Sequence, residues 1–258
     1  MLDDKEIASL AKVRRIRPWQ EERRYLQAMV LYSLSRSPPV LKGGTYLWFF
    51  HGLNRFSEDL DFTATGSIDR NLVEDVSDTL LLFGLRNDVR VLKDDRHVFS
   101  FRVDARGPLH RSEKDVSRTK VEISRRERVV LSPLVMRLDE PRYGLPLVFL
   151  RGMDLREVIS EKVRALLTRA TARDLYDLWH VVVRLDLEPD FELVAKKMDF
   201  YSKKYSHEEL IRRISFMRDS WEKELGPIVI GELPSFDEVK ASVLAALRAE
   251  GVREVNGR

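Results

Sequence analysis

Two aspartates, Asp59 and Asp61, interrupt an otherwise apolar stretch, LKGGTYLWFFHGLNRFSEDLDFTA, residues 41–64. In a strand, residues i and i+2 project from one face, so the two carboxylates point together while Leu60 and Phe62 point into a core. Carboxylates that close repel unless a cation sits between them, and paired oxygens are the ligands a hard Mg²⁺ or Mn²⁺ ion selects. Upstream, Gly43-Gly44 is followed at once by Thr45 and a short helix. Glycine lets a phosphate approach the backbone, and the N–H groups of a helix N-terminus hold anionic oxygens. Together these residues point to metal-assisted chemistry on a triphosphate. The bland alternative is a tight strand-to-helix turn at GGT and an N-capped helix start at SED.

Holding two metal ions takes a third carboxylate from a neighbouring strand. RTKVEIS offers Glu122, which shares a face with Lys120 and Ser124, and HVFSFRVDA offers Asp104. The sequence leaves both open, each with the alternative of a solvated strand charge. Further on, DLREVISEKVRALLTR places Leu155, Val158, Ile159, Val163, Leu166 and Leu167 on one helical face, with Lys162 inside that stripe. Such a lysine either snorkels to water or finds an anionic partner. In the next segment, RATARDLYDLWHVVVRL, Asp174 stands at a helix start, where an N-cap or first-turn role is natural.

Other chemistries find no support. His51, His97, His110, His180 and His207 lack H-x-x-x-H and H-E-x-x-H spacing, so no zinc site is expected. The glycine pair is not followed by G-K-[ST], which excludes a Walker loop. With no cysteine there is neither a disulfide frame nor thiolate chemistry.

The elements that must position these residues are read from periodicity. A helix is expected over 19–36, stopping before Pro38-Pro39. Then come strand VLK, a helix over 44–52, strand DLDFTA, a helix near 68–83, and strands at 88–93, 97–105 and 118–124. Beyond about Asp154 the pattern turns helical: 154–169, 172–185, 190–203, 207–224 and 235–250. The fold class is therefore α+β: residues 1–150 form an α/β core with N-terminal helices, and 151–258 a helical C-terminal domain.

Bulk properties fit that reading. The chain has 258 residues, is 43% hydrophobic and 34% charged, and carries a formal net charge of +3. No window approaches the roughly 18 apolar residues of a membrane span. The start, MLDDKEIASLAKVRRIRPW, lacks the pattern of a secretion signal, so a soluble, cytoplasmic protein is expected. Scarce Asn and Gln beside abundant Arg and Glu give a weak thermophilic signature. The mild basicity permits a nucleic-acid partner, and Arg14, Arg15, Arg17, Arg23, Arg24, Arg125, Arg126 and Arg128 are candidates to guide one.

GGT, a short helix, RFSEDLDF, KVEI and the later EKVRALL and RDLYDLW resemble the nucleotidyltransferase superfamily, specifically the AbiEii/AbiGii toxin family of type IV toxin–antitoxin systems, over roughly residues 19–185. The resemblance implies a small mixed sheet flanked by helices. It also implies Mg²⁺ (or Mn²⁺) held by Asp59 and Asp61 with help from Glu122, and a nucleoside triphosphate against Gly43, Gly44 and Thr45. By the same resemblance, Lys162 and Asp174 are expected in the active site, contributed to the cleft by the C-terminal domain. The lysine neutralises triphosphate charge, and the aspartate orients that lysine or the acceptor hydroxyl. Arg55, Ser57, Arg164, Arg169 and Arg173 are further candidates for phosphate contacts. The implied reaction transfers a nucleotidyl group to the 3′ end of RNA, tRNA above all, or to a protein hydroxyl. A cognate antitoxin, which need not touch the enzyme, is the implied biological partner. The alternatives are a non-catalytic nucleotide- or RNA-binding module and a housekeeping transferase.

Overall fold

A computed structural model describes residues 2–248. The chain divides into two compact units. Unit 1 comprises Met1–His51 and Phe56–Met153, and unit 2 comprises Gly52–Arg55 and Asp154–Arg258.

Unit 1 opens with helix α1 (Asp4–Arg14), which the periodicity does not announce. It is started by a capping box in which Asp3 accepts from the Glu6 N–H at 2.8 Å and Glu6 accepts from the Asp3 N–H at 2.7 Å. Helix α2 (Pro18–Ser33) follows, with Pro18 in its first turn, and is buried almost all round. Strand β1 (Val40–Lys42) leads into α3 (Gly43–Phe50), and β2 (Leu60–Thr63) carries Asp61. Helix α4 (Leu72–Leu82) precedes β3 (Arg86–Asp94), β4 (Val98–Arg106) and β5 (Ser117–Ser124). Strands β6 (Leu134–Leu138) and β7 (Val148–Gly152) are additions the sequence reading lacks, because their outward residues include Val135 and Phe149 and blur the alternation.

The seven strands form one mixed sheet in the order β3-β4-β5-β2-β1-β7-β6. Strands β1/β7 and β2/β5 run parallel and the remaining neighbours antiparallel. Phe99, Phe101, Val103, Val121, Ile123, Leu60 and Phe62 are buried on one face, where α2 and α4 pack. Arg102, Asp104 and Arg106 of β4 and Arg118, Lys120, Glu122 and Ser124 of β5 alternate with them and reach solvent, the two-sided pattern of an antiparallel sheet with one wet face.

Unit 2 is helical, as expected: α5 (Leu155–Thr168), α6 (Ala172–Trp179), α7 (Phe191–Asp199), α8 (His207–Ser215), α9 (Arg218–Leu225) and α10 (Phe236–Arg248). Two expected helices are interrupted. The one over 172–185 widens after Trp179 into a π turn, His180–Arg184, where the Leu185 N–H donates to the His180 carbonyl at 3.0 Å. The one over 207–224 breaks into α8 and α9 at Phe216 and Met217. Leu210, Ile214, Met217, Trp221 and Leu225 keep helical spacing across the break, and neither Gly nor Pro marks it, so pattern alone runs through. Of the helix expected over 235–250, residues 249 and 250 lie outside the described residues. Gly52–Arg55 is tied into this unit by Asn54, whose carbonyl accepts from the Ile230 N–H at 2.7 Å and whose Oδ1 accepts from the Tyr176 hydroxyl at 2.7 Å. Among the described residues, no helix is long and apolar enough to cross a membrane.

Candidate active site

In unit 1 the backbone entering β2 is held by side chains from three other elements. Gln27 of α2 donates its amide to the carbonyls of Ser57 at 3.0 Å and Glu58 at 2.8 Å. Thr119 of β5 donates to the Glu58 carbonyl at 2.7 Å, and Thr45 of α3 to the Asp59 carbonyl at 2.5 Å. Four hydrogen bonds on three successive carbonyls fix where Asp59 and Asp61 begin. Gln27 and Thr119 are sequence-silent, since their partners are backbone atoms far along the chain; Gln27 leaves a trace only as an amide inside an apolar helix.

Gly43, at the first position of α3, has φ +76, a conformation that favours glycine. A Cβ there would lie 2.6 Å from Asp61 Oδ2. The glycine pair thus serves at least one local purpose: it lets the Asp61 carboxylate close against the start of α3. Gly44 and Thr45 are buried in the same first turn, and no side chain caps the helix.

Register aligns a polar row across the sheet. Lys42 of β1 faces Asp61 of β2, Asp61 faces Glu122 of β5, and Glu122 faces Ser100 of β4. Residues opposite one another share a face. Glu122, not Asp104, is therefore the carboxylate beside Asp61; Asp104 stands two same-face positions further along β4 and pairs with Arg102 at 2.9 Å and Arg118 at 3.6 Å. Glu122 is itself engaged, because the Lys120 ammonium donates to it at 2.5 Å. Burial works against that ammonium, but Glu122, then Asp59 and Asp61, outweigh it and raise its pKa. Desolvation pushes the Asp59 carboxyl up, against the pull of Lys120. Lys42, at the other end of the row, forms a buried ion pair with Glu127. Among the described residues, no three His, Cys, Asp or Glu side chains are gathered to hold a metal ion. Asp59 and Asp61 still offer the oxygen donors a hard cation takes, beside a glycine that leaves room for one of them.

Unit 2 contains a second charged cluster. Lys162 of α5 answers the question its position raises: it is buried, with Nζ 3.0 Å from Asp174 Oδ1 and 2.6 Å from Asp177 Oδ2. Arg55 donates to Asp177 in a fork, Nε at 2.6 Å and Nη2 at 2.7 Å. Arg169 forks onto Asp174 at 2.7 and 2.8 Å, and the Thr171 hydroxyl adds a bond at 2.9 Å while capping α6. Burial disfavours the charge on Asp174, but Lys162 and Arg169 hold its pKa well below the usual carboxylate range. Arg55 and Lys162 do the same for Asp177. Asp177 is the member the sequence reading missed; its spacing of three from Asp174 places both on one helical face, which was the available signal. Arg55 is bound here to Asp177. Ser57 is half-buried, its carbonyl held by Gln27. Several expected guides for nucleic acid are likewise paired: Arg14 with Glu21 and Glu140, Arg23 with Glu58, Arg24 with Glu140, and Arg125 with Asp94.

Three solved structures share the architecture. MenT4, a nucleotidyltransferase toxin from Mycobacterium tuberculosis H37Rv, superimposes with TM-score 0.62 at 22% identity, over 98% of this chain and 93% of that one. JHP933 from Helicobacter pylori gives 0.60 at 21%, over 92% and 96%. A second H. pylori structure, described as that of a nucleotidyltransferase, gives 0.62 at 22%, over 92% and 97%. No curated protein sequence matches the chain. The mixed sheet, with Asp61 on β2 and Asp59 just before it, is thus a nucleotidyltransferase fold. More specifically, residues 24–242 match the AbiEii nucleotidyl transferase toxins of type IV toxin–antitoxin systems, and the chain belongs to that family. It is a nucleotidyltransferase, and the expected fold class holds.

Proposed function

We propose that the chain transfers a nucleoside monophosphate from a nucleoside triphosphate to a hydroxyl of an RNA acceptor, with Asp59 and Asp61 holding a Mg²⁺ or Mn²⁺ ion. The observation that carries this is the acidic pair itself, fixed by four hydrogen bonds to the preceding carbonyls and given room by Gly43. The bound cation would neutralise triphosphate charge and make the acceptor hydroxyl easier to deprotonate. The protein's own part is placement. The uncapped N-terminus of α3 at Gly43, Gly44 and Thr45 offers N–H groups to phosphate oxygens. In the transfer, the acceptor oxygen bonds to the α-phosphorus and the bond to the bridging oxygen breaks. The electron pair leaves on pyrophosphate, and the hydroxyl proton passes to solvent. Lys162 and Asp174 are assigned to the machinery on family pattern, and their mutual ion pair supports treating them as one unit.

RNA is favoured over a protein hydroxyl by the wet face of β3, β4 and β5. By register, Arg86, Arg90, Arg102, Arg106, Arg118 and Lys120 share it with only Asp88, Asp104 and Glu122. Arg90 pairs with Asp88 in the open, while Arg102 and Arg118 share half-buried Asp104 and keep much of their own surface in water, so a phosphate backbone can reach these arginines.

Purified protein incubated with Mg²⁺, each α-phosphate-labelled nucleoside triphosphate and total RNA or cell extract tests the proposal. Label is expected on RNA and absent with Asp59→Asn. Label on protein would replace the acceptor, and unchanged labelling by Asp59→Asn would remove the metal assignment. Growth arrest on induced expression, relieved by the same substitution, tests the toxin role.

A further inference from the structure

The Lys120–Glu122 pair bears on how many metal ions the acidic end of the sheet can take. Of the three carboxylates, Asp59 immediately precedes β2 and Asp61 lies on it, either side of Leu60. Glu122 lies in register with Asp61 but is bound at 2.5 Å by an ammonium two residues back on its own strand. Lys120 and Glu122 share a face because they alternate with buried Thr119, Val121 and Ile123, so the contact is built into the strand and needs no loop to form it. The pair is partly exposed, 38% for Lys120 and 42% for Glu122, so either side chain can be replaced without opening the core.

Resting on the reading of Asp59 and Asp61 as cation ligands, we infer that Lys120 stands where a second metal ion would otherwise be recruited, so that the site binds one divalent cation. A carboxylate engaged by an ammonium in a direct hydrogen bond is a poor additional ligand, since the metal must displace a like charge to reach it. Glu122 is then a residue that positions Lys120, not a metal ligand. The ammonium supplies fixed positive charge at that end of the row, as a second metal would, but it cannot be lost by dilution.

Titration of the full chain with Mn²⁺ alone, counting free ion by its paramagnetic resonance signal, reads both parts. The unchanged chain is expected to bind one ion. Lys120→Met frees Glu122 and is expected to bind a second, or to bind the first about tenfold more tightly, the scale of one unit charge acting on a divalent ion through a water-like dielectric. Lys120→Arg keeps the charge and is expected to behave as the unchanged chain does. The double variant Lys120→Met, Glu122→Gln is expected to return to one ion. Two ions on the unchanged chain, or no change on Lys120→Met, would overturn the inference while leaving the aspartates as ligands. If Asp61→Asn binds Mn²⁺ as well as the unchanged chain does, the metal reading falls, and this inference with it. Thermal unfolding of each variant shows whether it is folded, and because both side chains reach solvent, folded variants are expected.

Discussion

Replacing Lys162 with methionine isolates what the buried cluster of unit 2 contributes to stability. The side chain is about as long and as apolar in its stem, so the change removes the ammonium and little else. Breaking a buried ion pair typically costs about 3–5 kcal/mol, because the partner charge is left in a poor solvent. Here the residual costs differ between partners. Asp177 keeps the buried Arg55 fork, while Asp174 keeps Thr171 and an Arg169 whose side chain is 63% exposed and therefore screened. The expected loss is near the lower end, about 3 kcal/mol, which for a chain of this size lowers the unfolding temperature by about 6–12 °C. Circular dichroism during a thermal scan, with urea unfolding as a second probe, measures it. An unfolding midpoint within error of the unchanged chain would refute the account, because it would mean that two buried carboxylates lose a cation without penalty. Comparing transfer activity at a temperature where both proteins are folded then separates a chemical role of Lys162 from its structural one.

Gly43→Ala should cost about 2–4 kcal/mol, combining a left-handed backbone with a clash against Asp61, and should reduce transfer more than stability; activity unchanged in a folded variant would contradict the close approach. Gln27→Leu leaves the Ser57 carbonyl without its side-chain donor and the Glu58 carbonyl with Thr119 alone, and should destabilise by about 1–3 kcal/mol while loosening Asp59, seen as a fall in kcat greater than the change in KM for triphosphate. Acid should weaken unit 2. Asp174 and Asp177 have lowered folded-state values, so their stabilisation is complete above about pH 4 and is lost as pH falls through those lowered values. The raised Lys162 acts oppositely: its contribution is complete below about pH 10.5 and is lost only above that. Asp177→Asn should therefore lower the urea midpoint at neutral pH and flatten its fall below about pH 4, and parallel acid limbs for the two proteins would refute this.

The placement of several candidate residues was legible because it obeys short-range rules. Asp61 follows from alternation along β2, with Asp59 two residues before it, Glu122 from alternation along β5, and Gly43 from the chemistry of a turn. What escaped was set by distance along the chain. Gln27 and Thr119 act on carbonyls 30 and 61 residues away, and Arg55 finds its carboxylate 122 residues on. No periodicity encodes such partners. The sheet was legible in its centre, where β2 and β5 alternate cleanly, and not in β6 and β7, whose exposed Val135 and Phe149 defeat a burial pattern. In α8 and α9 the reverse occurred: the apolar period is continuous, so a tertiary break had no local signature.

Gly52–Arg55 belongs by its contacts to a unit whose remaining residues begin at Asp154. During synthesis these four residues emerge early, yet the Asp177 that Arg55 grips follows 122 residues later, roughly 6–25 s at the usual elongation rates of roughly 5–20 residues per second. Translation halted before residue 177 yields chains in which the segment just ahead of Asp59 has no second unit to fold into. Completion of that stretch is thus timed by the ribosome.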